Sequence, residues 1–206
     1  MDAERVLDGE LARTIVERHV LPPNRWVTDV HEEPAGFVVE TDTLPWIVRP
    51  AEPPFEGALV VEVLRGYHVD PPPAPVGVAV VGGGTFALSD EDGFRSFWAA
   101  GGRSSDAAVV AELLAAYLSG GYRGFVVGSD RTPTSARRAG QLSGVEDCGP
   151  IEADERDGHL DLRFCSYSVA PTEDGEDRVI VLRWEVDAER DGPIRWSTTQ
   201  LADLPA

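Results

Sequence analysis

The chain has 206 residues, 42% of them hydrophobic and 26% charged, which are the proportions of a folded globular protein rather than a disordered one. Thirty-six acids oppose 18 arginines and no lysine, for a net charge of −18, a field that repels nucleic acid and anionic membrane and attracts basic partners. No stretch approaches the roughly 18 uninterrupted apolar residues of a membrane span, and no apolar signal core follows Met1-Asp2-Ala3-Glu4-Arg5, so a cytoplasmic location is expected.

The first element in chain order is an amphipathic helix over 2–20, where Val6, Leu7, Leu11, Ile15 and Val16 recur at helical spacing until Pro22-Pro23 stops them. Short β-like runs follow. Residues 26–30 and 37–41 flank Pro34-Ala35-Gly36 and read as a hairpin, and 46–48 is a third run fenced by prolines. Residues 59–64 are apolar at nearly every position, the pattern of a strand central in a sheet. Pro71-Pro72-Pro73-Ala74-Pro75 is a stiff connector. Residues 76–81 form another strand, ending in Gly82-Gly83-Gly84.

A short helix then starts near Ser89-Asp90-Glu91-Asp92 and carries Phe94, Phe97 and Trp98 on one face. A second helix, capped by Ser105 or Asp106 and running to 118, is apolar around most of its girth. Such a helix is buried inside the fold or lies at an interface between copies of the chain. Residues 124–127 read as a strand, and 128–158 as the loosest part of the molecule. Three sequential strands, 159–169, 178–187 and 194–200, close the chain as an antiparallel meander.

These elements give an α+β fold with a largely antiparallel sheet system, three or four helices and a C-terminal three-stranded meander. One domain spanning 1–206 is expected, with two αβ subunits divided near 71–75 as the alternative.

Candidate chemistry is sparse. Gly82-Gly83-Gly84-Thr85-Phe86-Ala87 fits the spacing of a dinucleotide fingerprint, but no helix opens at Gly84, and a glycine turn between strands is the better reading. Two H-x-D pairs, His68 with Asp70 and His159 with Asp161, would each point an imidazole and a carboxylate the same way on a strand. Together the four residues could ligate a transition metal. Arg131, Arg137 and Arg138 lie among hydroxyls, a set suited to an anionic small molecule or to pairing with the protein's own acids. Ser129 stands outside any nucleophile motif, Cys148 follows an acid that disfavours a thiolate, and Cys165 alternates into an apolar strand. Two cysteines are too few for a disulfide framework, and reduced thiols are expected.

Charge carries the functional expectation. Residues 1–74 and 151–206 each hold fourteen acids against six arginines, while 75–150 hold eight against six. Glu173, Asp174, Glu176 and Asp177 crowd four carboxylates into one loop, the expected contact for a basic protein partner. The leading expectation is a non-catalytic interaction protein: an adaptor, a chaperone or a neutralising partner of a basic protein. It needs no cofactor and binds neither nucleic acid nor membrane, and the helix over 106–118 is the route to a homo-oligomer. A small metal-dependent enzyme built on the two H-x-D pairs, and a binder of an anionic small molecule, are the alternatives.

Overall fold

A computed structural model describes residues 6–51, 59–66, 75–120, 122–130, 134–171 and 177–206. Among them are four α-helices and eleven strands in two antiparallel sheets, the expected α+β class. No described helix is long and apolar enough to cross a membrane. The chain divides into two compact units, Met1–Ala100 and Gly101–Ala206.

In the first unit, α1 (Gly9–His19) starts later than the periodicity suggests. The Asp8 carboxylate accepts the Leu11 N–H at 2.8 Å and so sets the N-terminus. The sheet is a simple meander in chain order: β1 (Val27–Glu33), β2 (Gly36–Thr41), β3 (Trp46–Pro50), β4 (Leu59–Arg65), β5 (Val76–Val81) and β6 (Gly84–Ala87). Helix α1 buries Ala12, Ile15 and Val16 against Val27, Val39, Val48, Val61, Val63, Val78 and Val80 of the strands. β-Branched side chains suit the pleated surface, and their period of two puts them on one face.

β4 is interior to the sheet, as its continuous apolar run implies, and it carries the buried Glu62, whose carboxylate meets Arg49 of β3 at 3.3 Å. The strands flanking the proline-rich segment, β4 and β5, pair with each other. Gly82 and Gly83, at φ of 55° and 85°, form the tight turn between β5 and β6, so the dinucleotide spacing is a hairpin loop. The aromatic face of α2 (Glu91–Ala100), Phe94, Phe97 and Trp98, is buried.

The second unit opens with a 3₁₀ turn (Gly102–Ser104) and α3 (Ala107–Leu118), which Asp106 caps by accepting the Val109 N–H at 2.8 Å. Every residue from Val109 to Tyr117 is buried in the single chain, so the interior accounts for this helix's apolarity. It lies against β7 (Gly124–Val126) and the long strand β9 (His159–Pro171). The stretch expected to be loose contains α4 (Ala136–Leu142) and β8 (Glu152–Arg156). β10 (Asp177–Glu189) and β11 (Ile194–Pro205) complete the meander β9-β10-β11, and β11 runs five residues beyond its expected end at 200. β7 and β8 pair with successive stretches of the outer edge of β9.

Candidate functional site

Alternation sorts the second sheet into two faces. Leu160, Leu162 and Phe164 of β9, with Trp184, Val186 and Ala188 of β10 and Ile194 of β11, are buried on one face. Phe164 and Trp184 stack in register with centroids 5.6 Å apart, and the Trp184 indole N–H donates to Ser166 Oγ at 2.8 Å. The opposite face is polar over half its length and apolar over the other half. On the apolar half, Leu142 of α4 packs with Tyr167, Val179 and Val181, and Val145 and Cys148 join them. Nothing among the described residues closes over the polar half.

That uncovered half is an open concavity of about 690 Å³. Cross-strand register builds it in rows. Asp154, Asp161 and Asp187 stand side by side on β8, β9 and β10, continued by Arg195 on β11. Glu152, Arg163, Glu185 and Ser197 form the next row. Five carboxylates and two arginines therefore line it. A smaller hollow of about 390 Å³ adjoins it, sharing Glu152, Arg163 and Glu185 and running to Asp147, Cys148 and Cys165.

Two groups brace the surroundings. Arg190 donates through Nε and Nη2 to both Glu155 carboxylate oxygens at 2.8 Å, and through Nη1 to the carbonyls of Arg103 and Ser105. The Arg190 guanidinium holds the Glu155 carboxyl below the usual carboxylate range. At the other end, Arg183 reaches Asp147 at 3.5 Å, and Asp147 takes a left-handed backbone with φ of 61°. Burial and the neighbouring Cys165 push the Cys148 thiol up to about 12, so here the acidic neighbour in sequence is not what raises it. Both cysteines are free thiols, and Cys165 is in the core.

Of the expected metal ligands, His159 and Asp161 share the outer face of β9. His159 Nε2 lies 3.5 Å from Asp161 Oδ1 and 3.9 Å from Asp187 Oδ2. The register of β10 brings in Asp187, which motif reading along one strand could not supply. His68 and Asp70 lie outside the described residues. So do Arg131 and the loop acids Glu173, Asp174 and Glu176, while Asp177 begins β10, at the end of that strand remote from the concavity. Arg137 is exposed on α4. Arg138 donates to Gln141 Oε1 at 2.8 Å and lies over the Tyr167 ring, so its guanidinium is used within the fold. Ser129 donates its hydroxyl to the buried Glu112 carboxylate.

Comparison of the chain with protein-family models, with curated proteins and with solved structures finds no match.

Proposed function

We propose that the protein is a non-catalytic binding protein that takes a basic partner on the uncovered face of its C-terminal sheet. The observation that carries this reading is the concavity over β8, β9, β10 and β11, where five carboxylates and two arginines stand on a hydrogen-bonded floor, and of the five Asp154 is paired with Arg156 and Glu185 lies 3.8 Å from Arg183. Like charges held this close repel one another, and a cationic segment that settles among them relieves the repulsion. An extended segment fits the shape best. Its alternate side chains repeat every 6.6 Å or so, close to the spacing of successive rows along these strands. Arg163 and Arg195, set among the acids, favour a partner that carries some carboxylates among its basic groups.

The contact differs from the loop 172–177. Asp177 is separated from Asp187 along β10 by roughly 30 Å and so stands apart from the proposed contact.

Fluorescence anisotropy with a labelled lysine- and arginine-rich peptide tests the reading. A variant carrying Glu152→Gln, Asp161→Asn and Asp187→Asn should bind about tenfold more weakly or worse at low ionic strength. Neutralising Glu32, Glu33 and Glu40 on the other unit's sheet should leave affinity nearly unchanged, although net charge changes equally. Equal losses in the two variants would reduce the face to part of a general acidic surface.

A further inference from the structure

We propose that His159, Asp161 and Asp187 form a binding site for a divalent transition-metal ion of the zinc, manganese or cobalt class. One ligand atom from each residue lies within 4.8 Å of the other two. A tetrahedral ion with bonds of about 2.0–2.2 Å holds its ligand atoms roughly 3.3–3.6 Å apart. The separations of 3.5 Å and 3.9 Å between His159 Nε2 and the two carboxylates are near that geometry, and the Asp161 and Asp187 oxygens, within 4.8 Å of each other, close onto one ion by side-chain rotation. The backbone beneath is already fixed. His159 and Asp161 are alternate residues of β9, Asp187 is paired with Asp161 across the ladder, and the site lies beside the tight Asp157-Gly158 turn.

Convergence on one nitrogen separates this cluster from a second histidine flanked by acids. His31 of β1 has Asp29 at Nδ1, 3.9 Å away, and Glu33 at Nε2, 4.0 Å away. Those carboxylates approach opposite edges of the ring, and no single ion reaches both through one imidazole nitrogen. At His159 both acids approach Nε2.

The imidazole also sets the class of ion. Magnesium and calcium take oxygen ligands, whereas a nitrogen donor beside two carboxylates suits the borderline transition metals. Asp154, next in the same row, is engaged by Arg156 through two contacts of 2.8 Å, which leaves a three-residue set open toward solvent. The site needs neither His68 nor Asp70, and it does not depend on the basic-partner reading, since an ion would bind the isolated chain.

Calorimetric titration of metal-free protein with zinc alone, and with cobalt alone, tests the site. Wild type should bind a single ion per chain with a saturating isotherm. Asp187→Asn and His159→Gln should each weaken binding by about tenfold or more, and His31→Gln should not. All three positions of the site are substantially exposed, and circular dichroism checks that the variants keep the fold. Absence of saturable binding, wild-type affinity in Asp187→Asn, or an equal loss in His31→Gln would overturn the assignment.

Discussion

Arg190 shows how much one side chain can tie together. It joins the β10–β11 turn to β8 and to the backbone just before α3, and its own surface is only 18% exposed. Arg190→Ala would strip the Ser105 and Arg103 carbonyls of their donor, and unfolding in urea should show a loss of about 1–3 kcal/mol. The acid limb should change too. Because Glu155 titrates lower in the folded chain than in the unfolded one, its contribution is present above the ordinary carboxylate pKa and is lost as pH falls through the folded value. In Arg190→Ala that part of the acid loss should vanish.

Cys148 makes an independent residue-scale prediction. With its thiol raised to about 12, it stays protonated in mildly alkaline buffer, and alkylation should be far slower than for a free thiol until denaturant exposes it. Fast alkylation of the native protein would contradict the burial assigned to this residue.

At the scale of elements, α3 is the test of the interior. Leu113 is fully buried, and Leu113→Ala should cost about 2–5 kcal/mol in denaturant unfolding. A midpoint that does not move would contradict its place in the core. The contact between α1 and β6 adds a pH dependence. Burial, reinforced by Arg18, holds His19 below the ordinary imidazole range, and this outweighs the opposing effects of Asp90 and of the Thr85 backbone. The unfolded chain therefore takes up this proton at higher pH than the folded chain does. The stability due to neutral His19 is full above the ordinary imidazole pKa and is lost as pH falls through the lower folded value. His19→Gln should flatten the denaturant midpoint across that range.

The same scale shows why some elements were legible in the sequence and others were not. α3 carries a capping Asp106 and an unbroken apolar run, and β9 and β10 alternate over many residues, so local pattern and final structure agree. α4 is only seven residues long with Gly140 inside it, and its amphipathic signal is correspondingly weak. β8 is exposed at all five positions and has no apolar alternation to read. Its one signal was Asp157-Gly158, a dipeptide suited to a two-residue hairpin, and its φ values of 51° and 79° are those of such a turn. The candidate site was half visible for the same reason. His159 and Asp161 share a strand and a motif, whereas Asp187 joins them only through long-range pairing.

For the whole molecule, the net charge of −18 is shared between the two units, and what sets the C-terminal sheet apart is how its acids are arranged. Acids spread over a surface mainly keep a protein soluble, but on the C-terminal sheet they gather in rows over an uncovered floor. Steering by such a face raises association rates most at low ionic strength, and salt screens it within a Debye length of about 10 Å at moderate ionic strength. A basic peptide should therefore bind at a defined place as well as with measurable affinity. Backbone amide chemical shifts recorded during titration with a short lysine- and arginine-rich peptide measure that location directly. The shifts should concentrate in β8, in the first half of β9, in the second half of β10 and at the start of β11, and should fade together as salt is added. Shifts confined to the first unit's sheet, or spread evenly over both units, would show that the C-terminal face does not take the peptide.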